Sequence, residues 1–308
     1  MPKIKPAVDS CLDWIEMTSL TQAKDENVLR ERAARVTGTI PGDWRPDQAF
    51  NRYSTCLRHV GGSQALCGRS DMGTHIIIGG QALTAFRKEG REAAGLLSGM
   101  IEGGYHPTRL DLAIDAINSR IDGLSTLTDF QTGKGKTRAT LVNMLISKND
   151  GWTIYIGSRT SDKHLRIYNK NAEIDNKALI PEEVEDWVRI ELVCRDTNSR
   201  AAASLIRDHG VATAARSMIR AYADNPSDPK WAKVMAGPIT QVGKSVRKIT
   251  NTRQWLMQVA ARTLAREELA DPSTYEEFLG NVNLWRAVLT KRRMVNESVD
   301  NQPDVDLQ

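Results

Sequence analysis

Residues 151–170 read GWTIYIGSRTSDKHLRIYNK, and the pattern of this stretch decides the fold. Thr153–Ile156 and Leu165–Lys170 alternate apolar and polar residues with a period of two, the spacing of half-buried strands. A polar turn containing Gly157, Ser158, Ser161 and Asp162 joins them. Ile154, Ile156, Leu165 and Ile167 are predicted to share the core-facing side. The other face then receives Tyr155 from the first strand and Arg166, Tyr168 and Lys170 from the second. Packing explains a phenol flanked by two cations poorly; a phosphodiester ligand explains it well.

Two more segments repeat the pattern. RLDLAID (109–115) turns Leu110, Leu112 and Ile114 inward and Arg109, Asp111 and Asp115 outward. WVRIELVCR (187–195) puts Val188, Ile190 and Leu192 on one side and Arg189, Glu191 and Arg195 near the other. Paired in one antiparallel sheet, the three segments place Tyr168, several arginines and at least two carboxylates on a single face. An ordinary solvated face with cross-strand ion pairs would alternate in the same way, so alternation alone leaves both accounts open.

The chain has 308 residues, a net charge of +4 and four cysteines, and its pI is near 8.8. That length is ample for a core, and the mild positive charge permits nucleic-acid binding without requiring it. Cys11, Cys56, Cys67 and Cys194 form no C-x-x-C pair, which disfavours zinc or a disulfide framework and fits a reduced cytosol. No run approaches the ~20 apolar residues of a membrane span, and MPKIKPAVDS at the start lacks an apolar signal-type run. A cytoplasmic protein without membrane partners is expected.

In chain order, Asp9–Leu20 is a strand candidate and Thr21–Val36 a helix. Strands follow at Phe50–Val60 and Gly73–Ile78, separated by a glycine-rich turn at Gly61–Gly68. Gly79-Gly80 leads into a helix over Gln81–Ile101, whose interior Gly90, Gly95 and Gly99 suggest a break or close packing. FQTGKGKT (130–137) has Phe130 where a phosphate-binding loop needs glycine, so it is expected to be a basic loop. A helix spans Asn198–Tyr222, interrupted at Gly210. ADNPSDP (223–229) is turn chemistry, and three regions are predicted around it: 1–222, a helical 223–295, and a polar, acidic, disordered 296–308. Lys244–Arg266 holds six basic residues and no acidic one. Lys244, Arg247, Lys248 and Arg253 there are candidates for phosphate contacts. A last helix, opened by Ser273 and Glu276 as a capping box, is expected to bury Phe278, Val282, Trp285 and Leu289.

YIGSRTSDKHLRIYNK (155–170), followed by the Arg-Ile-Glu strand and preceded by RLDLAID, resembles the replication initiation factor family. That family comprises rolling-circle initiators of small plasmids, related relaxases of integrative elements, and filamentous-phage initiators. CLDWIEMTSL (11–20) is similar to the family's first strand and IIIGGQAL (76–83) to its strand-to-helix junction, so the resemblance runs from Cys11 to Arg195. It implies an α+β fold, with a central antiparallel sheet carrying the active site, flanking helices and a helical C-terminal region. It also implies nicking and rejoining of one DNA strand at an origin through a phosphotyrosyl bond to Tyr168, assisted by Arg166 and Lys170.

A phenol titrates near ~10 and is mostly neutral at physiological pH. A divalent metal could stabilise the developing charge, and cations beside the phenol favour its ionised form. Hard carboxylate oxygens such as those of Asp111 and Glu191 suit Mg²⁺ or Mn²⁺, whereas the histidines are scattered. Asp115, ~13 Å from Asp111 along an extended strand, ranks below it. Asp13 is a further candidate, because the resembling family carries an acid in its first strand. Arg109, Arg159, Lys163 and Arg189 are candidates for DNA contacts. Expected partners are the origin of a plasmid, phage or conjugative element in a bacterial host, a second copy of the chain, and a host helicase recruited after nicking. Two alternatives stay open: a non-catalytic origin-binding protein, and a tyrosine recombinase, against which the tyrosine's position on a strand counts.

Overall fold

A computed structural model describes residues 6–68, 72–147, 151–174 and 180–242, with short stretches between 264 and 283. The chain divides into two compact units, Met1–Ser245 and Val246–Gln308.

The first unit opens with β1 (Ala7–Ser19), α1 (Glu26–Thr37), β2 (Trp44–Asp47), β3 (Thr55–His59), β4 (Gln64–Cys67) and β5 (Thr74–Ile78). Then come α2 (Gly80–Lys88), α3 (Ala93–Glu102), β6 (His106–Ile117), α4 (Gly123–Thr132), β7 (Lys136–Thr137) and β8 (Val142–Ile146). The unit continues through β9 (Trp152–Ile156), β10 (Lys163–Asn169), α5 (Lys170–Glu173), β11 (Trp187–Arg195) and α6 (Thr197–Tyr222), ending with β12 (Ala223–Asp224) and α7 (Pro229–Val234). Ten of the strands form one sheet in the order β2-β3-β4-β5-β1-β6-β11-β10-β9-β8, with every neighbouring pair antiparallel. The α+β fold with a central antiparallel sheet that the resemblance implies is therefore the observed one.

Its layout is twofold. β1 and β6 lie side by side at the centre, and each is followed by a helix and a meander whose last strand returns to pair with it. A helical stretch follows each half, α2 and α3 after β5, and α6 after β11. The inward residues of the sheet, among them Ile15, Leu112, Ile114, Ile167, Ile190 and Leu192, are fully buried in one core with Leu29, Leu83, Ala202 and Ile219 of the helices. One face of the sheet is thus sealed by helices, and the alternating polar residues are left on the other.

The hairpin that opened the sequence reading forms as expected in its core: Arg166 pairs with Tyr155 and Ile167 with Ile154. Its turn is held by α6. The Tyr222 hydroxyl lies 3.2 Å from the carbonyl oxygens of Ile156 and Lys163. Gly157, at φ 89°, is required there because a Cβ would collide with that hydroxyl and because L-residues rarely adopt such a φ.

Several boundaries differ from expectation. Lys170 leaves the strand and begins α5, capped by the Asn169 side chain accepting from the Ala172 N–H at 3.1 Å. Gln64–Cys67, expected as part of a turn, is a strand, and the preceding strand begins only at Thr55. The long helix after Gly79-Gly80 is two, broken at Gly90, which has a φ of 75°. As expected, Gly210 interrupts α6, with φ 79° and ψ 165°. The ADNPSDP turn lies inside the first unit: Ala223 and Trp231 are fully buried, and Trp231 packs edge-on against Phe130 at 6.0 Å. Apolar anchoring thus carries this unit past the expected boundary at Tyr222.

In the second unit Asp271 accepts from the backbone N–H of Ser273 at 3.0 Å and residues 275–280 are helical. Phe278 and Val282 are 40% and 37% exposed, contrary to the expectation that they are buried. Trp285, Leu289, Lys244, Arg247, Lys248 and Arg253, and the tail from 296, lie outside the described residues.

Candidate active site

The polar face is ordered by strand register. One row runs Tyr155, Arg166, Glu191 and Ala113 across β9, β10, β11 and β6; the next runs Thr153, Tyr168, Arg189 and Asp115. Asp111 sits two residues before Ala113, diagonal to Glu191. The three alternating segments therefore bring Tyr168, Arg166, Glu191, Asp111, Asp115 and Arg189 together on neighbouring strands.

Each carboxylate has an arginine. Asp111 takes two hydrogen bonds from Arg109, 2.9 Å from Nε and 2.6 Å from Nη2. Asp115 is gripped by Arg189 through Nε and Nη2, both at 2.7 Å, and by the Trp187 indole at 2.8 Å. The remaining nitrogen of Arg189 reaches Asp13 at 2.5 Å. Asp13 can do this because it is the extra residue of a bulge: Leu12 pairs with Leu112 and Trp14 with Asp111, leaving Asp13 without an opposite number. Glu191, fully buried, receives Arg166 on Oε1 and the Tyr168 hydroxyl on Oε2, the latter at 3.1 Å.

Tyr168 is only 6% exposed. Burial, and then the Glu191 charge, push its phenol above the ordinary value, against the opposing effect of Arg189. The sequence expectation was that Arg166 and Lys170 would ease its ionisation. Both stand over its ring, at 5.7 and 5.6 Å, but Arg166 is held by Glu191 and Lys170 by Glu173. The net direction is therefore upward. Glu191, hydrogen-bonded to the phenol, is the acceptor placed to take its proton. Beside Tyr168 a hollow of about 450 Å³ is lined by Tyr155, Arg166, Thr153 and Leu145, among others. Tyr155 is half-buried, with Arg159 5.4 Å from its ring.

Burial raises Asp111 to about 7, opposed by the Arg109 hydrogen bonds and charge and reinforced by the Glu191 charge. A buried acid whose ionisation is disfavoured by a neighbouring carboxylate forms with it a donor pair that a divalent cation would relieve. Asp115 gives both oxygens, and Asp13 its Oδ1, to Arg189; Asp111 and Glu191 are likewise engaged, by Arg109 and by Arg166 with Tyr168, so an ion would have to share or displace these partners. Among the described residues no cluster of three or more His, Cys, Asp or Glu is arranged to hold an ion, so a metal here would rest on Asp111 and Glu191 with non-protein oxygens.

The candidate DNA contacts separate. Arg159 is exposed in the hairpin turn and Lys163 is half-buried, 5.3 Å over the Tyr222 ring. Arg109 is tied to Asp111, 3.6 Å from Glu16 and stacked over Trp14. Arg189 is 5% exposed and fully engaged, which makes it a brace of the sheet face. Glu16 was not singled out from the sequence. Its carboxylate accepts from the Trp14 indole at 2.7 Å and lies 3.7 Å from His75. The alternation of Trp14 and Glu16 in CLDWIEM was the available signal, obscured by the bulge at Asp13.

The fold is shared with the rolling circle replication initiator protein from Geobacillus stearothermophilus: the TM-score is 0.59 at 18% identity, covering 78% of this chain and 94% of that one. The putative DNA relaxase NicK of Bacillus subtilis (strain 168) is 33% identical over 131 residues, 40% of this chain. That match spans 37% of NicK's own length. The family model for the replication initiation factor matches residues 106–282. The chain belongs to the replication initiation factor family.

Proposed function

We propose that this protein nicks and rejoins one DNA strand at a rolling-circle origin, with Tyr168 as nucleophile. The observation that carries this reading is the hydrogen bond from the Tyr168 hydroxyl to Glu191 on the sheet face, beside a hollow large enough for a nucleotide. Glu191 accepts the phenolic proton as the oxygen attacks the phosphodiester. The new bond joins the tyrosine oxygen to the 5′ phosphate, the bond to the departing 3′ oxygen breaks, and that oxygen takes a proton from solvent to become a 3′ hydroxyl. Arg166 lies where it can neutralise charge on the phosphate oxygens. Rejoining is the same exchange reversed, with the 3′ hydroxyl attacking the phosphotyrosine.

Asp111 and Glu191 are the residues we assign to a Mg²⁺ or Mn²⁺ ion, which when bound would supply positive charge to the phosphate oxygens. Asp13 and Asp115 are assigned instead to fixing Arg189. Arg159 and Lys163, at the turn end of the hairpin, are the assigned backbone contacts within the first unit; Lys244, Arg247, Lys248 and Arg253 are assigned the same role in the later region. The test is incubation with supercoiled DNA bearing the origin, with Mg²⁺ and with excess EDTA. Metal-dependent nicking with protein attached to the 5′ end supports the reading, and full nicking in EDTA overturns the metal assignment. Binding without nicking under any metal favours the origin-binding alternative.

A further inference from the structure

The two rows of the polar sheet face change character towards the sheet's edge. On β8, Asn143 pairs with Tyr155 and Leu145 with Thr153. The rows that begin at Ala113 and Asp115 on β6 therefore end at Asn143 and Leu145. Their charged groups lie on β6, β11 and β10; β9 and β8 carry a phenol, a threonine, an amide and a leucine. The hollow of about 450 Å³ beside Tyr168 spans this passage, since Arg166 and Tyr168 line it together with Thr153, Tyr155 and Leu145. Cavities of ~300–1,000 Å³ commonly take small organic groups.

Leu145 is 55% exposed. A single exposed leucine is ordinary on its own, but this one shares a row with Thr153 and Tyr168 and lines the same hollow. Tyr155 is half-buried. Arg159 stands 5.4 Å from its ring yet does not line the hollow, so the cation and the hollow meet different parts of the ring. Asn169 also lines the hollow, and Glu173, the acid among its described lining residues, is paired with Lys170.

A nucleotide is divided in the same way, with a charged phosphate at one end and a flat ring with polar edges at the other. At the usual strand spacing β9 and β8 lie ~5 and ~10 Å from β10. A phosphate at Arg166 and Tyr168 thus has its own base within reach of Tyr155 and Leu145.

We infer that the hollow receives the base of the nucleotide next to the attacked phosphate, stacked on the Tyr155 ring against Leu145 with Thr153 and Asn169 at its polar edge. A paired base is held inside its stack and cannot enter, so the DNA bound here is unpaired. The inference rests on the reading of Tyr168 as nucleophile, and it assigns the neighbouring phenol, Tyr155, to binding.

The test is fluorescence anisotropy of the full chain with a labelled oligothymidylate of about twelve nucleotides, in EDTA so that binding is read without nicking. Tyr155→Ala and Tyr155→Leu should each weaken single-strand binding about tenfold or more, the leucine keeping apolar bulk without a flat ring. Tyr155→Phe, which keeps the ring, should bind as the wild type does, and affinity for a duplex of the same length should be unchanged in all three. No loss in Tyr155→Ala and Tyr155→Leu, an equal loss on the duplex, or a loss in Tyr155→Phe matching that in Tyr155→Ala would overturn the inference. Placement beside the attacked phosphate is read in Tyr168→Phe, using the origin strand with 2-aminopurine on either side of the mapped nick. Its fluorescence should be quenched at one of the two positions and recover when Tyr155→Ala is added; fluorescence indifferent to Tyr155 at both positions would overturn the placement. If no adduct forms at Tyr168 while single-strand binding still depends on the Tyr155 ring, the nucleophile assignment fails and the base site stands, so the two failures are told apart.

Discussion

At the scale of single residues, the sheet face mixes chemistry with bracing, and substitutions separate the two. Arg189 is buried between Asp115 and Asp13. Removing one partner of such a group leaves charge buried and unpaired, at ~3–5 kcal/mol. Arg189→Met should therefore lower stability by about that much in denaturant melts, whereas a lost phosphate contact would chiefly change the salt slope of DNA binding. Tyr168→Phe should cost less, ~1–3 kcal/mol for the partner lost by Glu191 Oε2, since Glu191 keeps Arg166. His164, 4% exposed, is held down to about 4 by burial first and then by Arg195, 3.4 Å from its Nδ1. With its folded value below the unfolded ~6.5, it contributes stability in full above pH 6.5. That contribution is lost as pH falls towards 4, because the unfolded chain takes up the proton first. His164→Asn should flatten the stability profile between these pH values.

At the scale of elements, period-two alternation was sufficient to find β6, β9, β10 and β11 and to put Tyr168, Arg166, Glu191 and Asp111 on one face. What alternation could not convey was that the face is dry. Asp111, Asp115 and Glu191 are 1%, 5% and 0% exposed, and burial reverses the expected shift of the phenol. Nor could it give the Asp13 bulge, since an extra residue breaks the very pattern being read. Gln64–Cys67 was hidden by the glycines on either side of it, and the twofold layout by the absence of a matching sequence repeat. Gly210 was legible as an interruption. Its conformation, with no neighbour within 4 Å of a Cβ, makes Gly210→Ala a test of backbone strain alone. That variant should lose ~1–3 kcal/mol, read from its urea midpoint.

At the scale of the whole molecule, the first unit runs to Ser245, with Trp231, Val234 and Met235 in its core. A chain truncated after Ser245 should melt cooperatively. One truncated after Asp228 loses three buried apolar side chains worth ~1.5–3 kcal/mol each and should be unfolded or strongly destabilised in the same melt. Turn chemistry at ADNPSDP suggested an earlier boundary because turn residues report a change of direction, not the loss of a core. Among the described residues no helix is long and apolar enough to cross a membrane. The central claim, that the sheet face performs strand transfer through Tyr168, is tested most directly by mapping the covalent adduct. Wild type, Tyr168→Phe and Tyr155→Phe would each be incubated with origin DNA and Mg²⁺, digested, and the DNA-linked peptide sequenced by mass spectrometry. The predicted result is attachment at Tyr168 in the wild type and in Tyr155→Phe, with none in Tyr168→Phe despite retained DNA binding. Attachment at Tyr155, persisting when Tyr168 is phenylalanine, would contradict it.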